Sequence, residues 1–312
     1  MKLFPIAKIN LGLNVVERRP DGYHNLKTVF YPVNIKDTLE VTPQANPATA
    51  HAAPTTAQAT PATALAPPAT AHAAPTPEVS TSGPLNDCQL SISGITIEGD
   101  TQRNLVVRAY HLLKDDFPGL PPVTVHLHKA IPTQAGMGGG SSDCAYMIRL
   151  LNEQFRLGLT TEQMQQYAAR LGADCAFFIL AQPAYAEGIG ERLEPIDLDL
   201  SRYHIGVVRP DIPVPTKEAF SLIRPHRPQK NCRDIVMQPV ETWRDELVND
   251  FEQSVFALHP EIGAIKEQLY RLGAVYAAMS GSGSAVFGLF RDPLKLNTEF
   301  PGMYTYCGTL RP

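Results

Sequence analysis

Apolar positions recur along the chain with two different periods, and each change of period marks a new element. Before residue 43 the pattern is strand-like. Ala7–Val16 carries apolar and β-branched positions broken by Asn10, Gly12 and Asn14, and Thr28–Val33 and Thr38–Val41 are two further runs. Arg19-Pro20-Asp21-Gly22 presets a reversal between the first two, the proline fixing φ and the glycine admitting a positive one. Gln89–Ile97 alternates Leu90 and Ile92, then Ile95 and Ile97, with Gly94 placed for a bulge or a break.

From residue 104 the period lengthens. Asn104–Leu113 puts Leu105, Ala109, Leu112 and Leu113 on one helical face, and Val123–Leu127 returns to a strand. Ser141–Asn152 sets Cys144, Met147, Ile148 and Leu151 at i, i+3, i+4 and i+7. Thr160 and Gln163 form a capping-box pattern for a helix that turns Met164, Tyr167, Ala168 and Leu171 inward, with Gly172 to end it. Further on, Ile205–Arg209 predicts a strand and Thr216 the cap of a helix to Ile223. Glu261–Leu272 predicts an amphipathic helix closed by Gly273, and Ala285–Phe290 a strand. Strands alternate with helices in both halves and no unit of 20–50 residues repeats, which predicts an α+β chain rather than a solenoid.

Composition changes this picture at one address. Residues 43–86 hold 9 of the 28 prolines, 14 alanines, 8 threonines and a single charged side chain, Glu78. Such a tract buries too little apolar surface to offset its ordering entropy, so it is expected to be a disordered insertion at a hairpin tip. The 312 residues are long enough for two domains. A net charge of −4 leaves no basic footprint for nucleic acid or an anionic membrane. No apolar run is long enough to span a bilayer, and the first residues do not form a secretory core. Five scattered cysteines without CxxC spacing indicate neither a disulfide framework nor a zinc site. A cytoplasmic protein is the resulting expectation; a monomer or weak homodimer is expected as well, without a sequence feature that decides between them.

The candidate chemistry begins at Pro132-Thr133-Gln134-Ala135-Gly136-Met137-Gly138-Gly139-Gly140-Ser141-Ser142-Asp143, a glycine loop feeding a helix. Glycines let backbone approach a ligand closely, and the free N–H groups of a first helical turn favour an anion. The loop lacks the Gly-Lys-Ser/Thr of a Walker A motif and the context of a dinucleotide fingerprint. A plain flexible connector is the competing reading of the same glycines.

Gly136–Asp143 resembles the phosphate loop of the GHMP kinases. Four other stretches strengthen the resemblance: Ala7-Lys8-Ile9-Asn10-Leu11 with Asp21-Gly22-Tyr23-His24; Leu171-Gly172-Ala173-Asp174; Ala186–Glu191; and Met279–Ser284. They point to the branch of the family that phosphorylates the 2-hydroxyl of CDP-methylerythritol. The resemblance implies a two-domain α+β fold, an N-terminal ribosomal-S5-domain-2-like part over 1–196 and a C-terminal ferredoxin-like part over 197–312. It also implies ATP as phosphoryl donor with Mg²⁺. Asp174 matches the catalytic aspartate, as general base, and Lys8 the lysine beside it, favouring the attacking alkoxide. Asn10 matches a neighbouring substrate contact. Tyr23 and His24 match a cytosine-recognition pair, and Phe220 an aromatic on the base's opposite face, with Thr216 a hydroxyl partner on the same segment. Asn104 and Lys129 match nucleotide contacts, and the loop residues Pro132–Ser142 a phosphate cradle. Each also has a plainer reading: Asp174, Thr216 and Asn104 as helix caps, Lys129 as a solvated strand end, Phe220 as core. No metal-ligating set is read from the sequence. A homoserine- or mevalonate-type kinase, or a non-catalytic nucleotide-binding relative, stands as the alternative.

Overall fold

The computed structural model describes residues 1–44, 87–97 and 99–310. In chain order the elements are β1 (Lys2–Leu3), β2 (Ile6–Arg18), β3 (His24–Lys36), β4 (Thr38–Pro43), β5 (Cys88–Gly94), α1 (Leu105–Asp116) and β6 (Val123–Lys129). There follow α2 (Gly139–Phe155), α3 (Thr161–Ala169), α4 (Phe177–Leu180), β7 (Ala184–Gly188), β8 (Arg192–Pro195) and β9 (His204–Arg209). The chain ends with α5 (Thr216–Ala219), α6 (Cys232–Val236), α7 (Trp243–Glu246), α8 (Phe251–Leu258), α9 (Pro260–Arg271), β10 (Tyr276–Met279), β11 (Val286–Phe290) and β12 (Tyr304–Thr309).

Three four-stranded sheets organise these elements: β1-β4-β6-β5, β2-β3-β7-β8 and β10-β11-β9-β12. The first alternates strictly along β6, with Val123, Val125 and Leu127 turned under α1 and α2 and Thr124, His126 and His128 facing out. The second and third sheets pack face to face. Ala7, Ile9 and Leu11 of β2 meet Ile205 and Val207 of β9 and Tyr276 and Ala278 of β10. The alternate residues Ala277, Met279 and Val208 face α8 and α9 on the third sheet's other side. The third sheet is antiparallel throughout, and its order is that of a ferredoxin-like fold whose second crossover helix is replaced by an irregular 291–303 segment.

Strand β2 shows how a 13-residue strand serves two cores. Gly12 lies at a positive φ of 66° where the register with β3 shifts between Leu11 and Leu13. Beyond that shift Leu13 and Val15 enter the core under α8 and α9 instead of the one shared by Ala7, Ile9 and Leu11. Lys8 and Asn10 alternate with Ala7, Ile9 and Leu11, so they lie on the opposite face, where a core would otherwise continue.

Several expectations are corrected. The glycines at 139 and 140 are already helical in α2, which begins two residues before Ser141. Of the two readings offered for Gly94, the break is the one found, since Gly94 ends β5. Thr216 is the first residue of α5, with Pro215 at the cap position and no side-chain cap, and the helix stops at Ala219 rather than Ile223. The capping box at Thr160 and Gln163 is formed as the spacing requires. The 43–86 insertion lies outside the described residues except for Pro43 and Gln44, and Pro43 belongs to β4. The strands that border the insertion do not pair with each other as a hairpin would. Strand β6 lies between them, antiparallel to β4 and parallel to β5, so Pro43 and Cys88 both register with Val123.

Both ends of the insertion therefore emerge beside one residue. Replacing 45–86 with a Gly-Ser linker of roughly eight residues is expected to keep the fold and to gain about 1 kcal/mol from the shorter loop closure. Urea denaturation reads this, and a lower midpoint for the shortened chain would contradict it.

Candidate functional site

The glycine loop runs from the end of β6 into α2, and its central carbonyls accept bonds from both halves of the chain. The Ser280 hydroxyl donates to the Gly136 carbonyl at 2.8 Å, and the Lys8 amide donates to the Met137 carbonyl at 3.0 Å. Gly136 has φ 71°, and a Cβ there would overlap the Ser280 carbonyl. Gly138, with φ 70°, is the residue before α2, and a Cβ on it would come within 2.7 Å of the Phe178 ring. Glycine is required at both positions, by dihedral and by space.

Beside the loop stands a buried ammonium. Lys8 is 3% exposed, donates to Asn10 Oδ1 at 2.5 Å, and lies 3.5 Å from Asp174 Oδ2 and 5.1 Å from the centre of the Phe30 ring. Asn10 is fixed in turn by donating to Thr28 Oγ1, which donates to the Gly12 carbonyl. Burial pushes the Lys8 pKa down, and the charge of Asp174 opposes that shift. Asp174 keeps 33% of its side chain exposed on the turn between α3 and α4. It does not cap α4, whose N-terminus has no side-chain cap.

A second buried lysine lies beneath the loop. Lys129 contacts Asp37 and also donates to Asp143 Oδ2 at 2.7 Å, and all three side chains are buried. Burial acts to lower the Lys129 pKa, but the charges of Asp143 and Asp37 outweigh it and the net shift is upward. Burial also raises the Asp143 carboxyl, with Lys129 opposing and Asp37 adding to the rise. Among the described residues, the Asp143 Oδ1 and the Ser142 hydroxyl are buried without a partner.

Two adjoining cavities meet at this machinery. The larger, about 840 Å³, is walled by Asn104, Lys129, the loop from Pro132 to Ala135, Gly136, Gly138–Ser141, Asp143 and Thr216. The smaller, about 220 Å³, is walled by Lys8, Asn10, Asp174, Thr216 and Phe220, and shares Gly136, Gly138 and Ser282 with the first. Asn104 combines both of its expected readings: it caps α1 through the Val106 amide at 2.9 Å and lines the larger cavity. Lys129 is in that wall but is buried rather than a solvated strand end. Met137 and Ser142 are buried behind the loop instead of lining it. Tyr23 is 49% exposed, and His24 stacks directly on Phe220 at 4.5 Å between centroids, with the planes at 18°. Neither Tyr23 nor His24 lines either cavity.

Sequence reasoning left out Asp37, Thr28 and Phe30 and gave Asp143 no role of its own. Asp37 and Lys129 are 92 residues apart, so no local spacing announces them. Alternation offers the one available signal for Thr28 and Phe30, because both face away from the Val29 and Tyr31 core side of β3.

The arrangement has known counterparts. The profile described as the GHMP kinases N terminal domain matches residues 104–182, and that of the GHMP kinases C terminal matches 236–298. A 4-diphosphocytidyl-2-C-methyl-D-erythritol kinase of Bacteroides fragilis is 47% identical over 95% of this chain and 94% of its own. The enzyme of the same name from Bacteroides thetaiotaomicron is 46% identical over 98% of both. A crystal structure of 4-(cytidine 5'-diphospho)-2C-methyl-D-erythritol kinase superposes with TM-score 0.73 at 28% identity, covering 99% of this chain and 98% of that one. A homoserine kinase structure from Cytophaga hutchinsonii, at 13% identity and TM-score 0.62 over 97% and 94%, shares the fold.

The buried ammonium has a measurable consequence for stability. Lys8 titrates at lower pH in the folded chain than the ordinary 10.5. Below the folded value its charge costs stability in full, and the cost fades as pH rises through the interval up to the unfolded value. Lys8→Met is therefore expected to be more stable than wild type at neutral pH, with the difference shrinking toward pH ~10. Denaturant midpoints at the two pH values check this; a less stable variant at neutral pH would contradict it.

Proposed function

We propose that this chain, which belongs to the 4-diphosphocytidyl-2-C-methyl-D-erythritol kinase family within the GHMP kinases, transfers the γ-phosphoryl of ATP to the 2-hydroxyl of CDP-methylerythritol. One observation carries the assignment of roles. A glycine loop opening a helix adjoins, through shared walls, a cavity that holds a buried lysine and a half-exposed aspartate. Phosphoryl transfer needs in-line positioning, neutralised charge and a destination for the hydroxyl proton.

The larger cavity takes the nucleotide, with its phosphates on the loop amides and the first turn of α2. The smaller takes the acceptor. Its hydroxyl oxygen attacks the γ-phosphorus, the bond from that phosphorus to the ADP oxygen breaks, and the proton passes to Asp174. Lys8, braced by Asn10, sets a positive charge beside the oxygen that becomes anionic. Phe220 lines this smaller cavity and His24 stacks on Phe220, and an aromatic face suits a pyrimidine. Tyr23 stands next to them in sequence, exposed, and completes the base site in this reading. Thr216, shared by both cavities, is placed to touch either substrate.

Asp143 lines the larger cavity with its Oδ1 partnerless among the described residues, which suits a Mg²⁺ carried in by the nucleotide, since Mg²⁺ is commonly held by one or two carboxylates together with phosphates and water. Bound there it would neutralise charge on the phosphates. We place the boundary between the ATP-binding and C-terminal parts at 196/197, on the segment joining β8 to β9. No helix among the described residues is long and apolar enough to cross a membrane. We read the chain as a cytoplasmic monomer or weak homodimer.

The decisive assay compares ATP consumption with CDP-methylerythritol, homoserine and mevalonate as acceptors. Turnover confined to the cytidine substrate is expected, and a faster rate with homoserine or mevalonate would overturn the reading. Asp174→Asn should fold normally, because the side chain's one charged partner among the described residues, Lys8, is 3.5 Å away. It is expected to bind ATP with unchanged affinity and to lose at least ~10²-fold in kcat. Turnover near that of wild type would remove Asp174 as the base.

A further inference from the structure

We infer that Asp37, which lines neither cavity, is a positioning residue for ATP: one carboxylate that pins both ends of the phosphate loop. This rests on the kinase reading above and extends it to a residue without a substrate contact.

Asp37 sits at the corner between β3 and β4, where the chain leaves the second sheet for the first, and it is completely buried. Its own amide donates to the Pro5 carbonyl at 2.9 Å, which fixes the corner. Its Oδ1 accepts from the amides of Ala130 and Ile131, at 2.6 and 2.8 Å, the two residues that lead from β6 into the loop. Its Oδ2 contacts the Lys129 ammonium, and that ammonium reaches on to Asp143 in α2, past the loop's far end. The entry is thus held directly and the exit through Lys129.

The chemistry explains why a carboxylate is used. A single anionic group can accept two amides on one oxygen and an ammonium on the other, and charge-assisted bonds of this kind are about twice as strong as neutral ones. The loop itself is rich in glycine and has much conformational freedom to lose when phosphates arrive. Fixing its two ends in the empty protein removes part of that loss before binding, which is how preorganisation raises affinity. Lys129 packs close under the loop, its Nζ 3.3 Å from where a Cβ on Gly139 would lie, so movement of the lysine is felt at the first helical residue.

The test separates positioning from general stability. Asp37→Asn keeps an acceptor for the two amides and removes the charge that Lys129 answers. Expected are a roughly tenfold weaker ADP affinity by calorimetry, a matching rise in KM for ATP, and a KM for CDP-methylerythritol within about twofold of wild type. Lys129→Met should give a similar loss, and the double variant no further loss, because the two act in series. Equal changes in both KM values, or an additive double variant, would overturn the inference. If Asp37→Asn does not fold, amide exchange in nucleotide-free Lys129→Met decides. Faster exchange at 139–142 with 130 and 131 still protected supports the bracket, and unchanged exchange at 139–142 refutes it. Absence of turnover in the wild-type protein would instead count against the kinase reading, which keeps the two failures apart.

Discussion

The site depends on backbone meeting backbone at Gly136. With no side chain there, the Ser280 hydroxyl reaches the loop carbonyl and also accepts from the amide of Asn10 at 3.3 Å. One serine therefore joins the phosphate loop, strand β2 with its lysine and asparagine, and the turn after β10. A further backbone bond, from Ala285 to the Ala135 carbonyl, runs in parallel. Because the loop enters both bonds through its carbonyls, its amides are left to face an anion. The two cavities share walls for the same reason: both are bounded by Gly136, Gly138 and Ser282.

The two buried lysines show how charge is divided between rigidity and reactivity. Lys129 has two buried carboxylates beside it, whose charges raise its pKa against the effect of burial, so its proton is held firmly. Lys8 has one carboxylate, partly solvated and at 3.5 Å, and its pKa is lowered. A buried ion pair contributes to stability only when its geometry repays the loss of hydration. At Lys129 the two carboxylates outweigh the effect of burial on the ammonium, whereas at Lys8 burial outweighs the one carboxylate. The three cores around the sheets offset the cost of burying Lys8, whose residue lines the smaller cavity.

Legibility followed distance along the chain. The α2 face, the Thr160–Gln163 capping box and the helix α9 were readable because their partners lie within four residues. Strand β10 was missed because a fully buried run of four has no polar alternation to reveal it. Strand β12 was missed because its residues are half-buried on both faces. The positions of Lys8, Asp174 and the loop could be named from motif resemblance, whereas the contacts that make them work could not. Asn10 meets Ser280 across 270 residues, and Asp37 meets Ala130 across 93. Such bonds are set by which strands become neighbours, a property of the whole topology. Thr216 went the other way: its spacing suggested a cap, but Pro215 took the cap position and left the hydroxyl in the cavity walls.

Topology also explains how the chain carries a long Ala/Thr/Pro tract close in sequence to its machinery. Strand β6 has Val123 at one end and Lys129 at the other, six residues apart, or about 20 Å for an extended strand. The tract's two attachment points register with Val123, and the phosphate loop leaves after Lys129. The strand between them is paired on both edges and its Val125 and Leu127 are fully buried, so it transmits little bending. An insertion at the far end of such a rod perturbs loop closure at the sheet's edge. It leaves untouched the Asp37, Lys129 and Asp143 contacts that shape the near end. The composition that stands out most in the sequence is therefore attached where it matters least to the geometry of phosphoryl transfer.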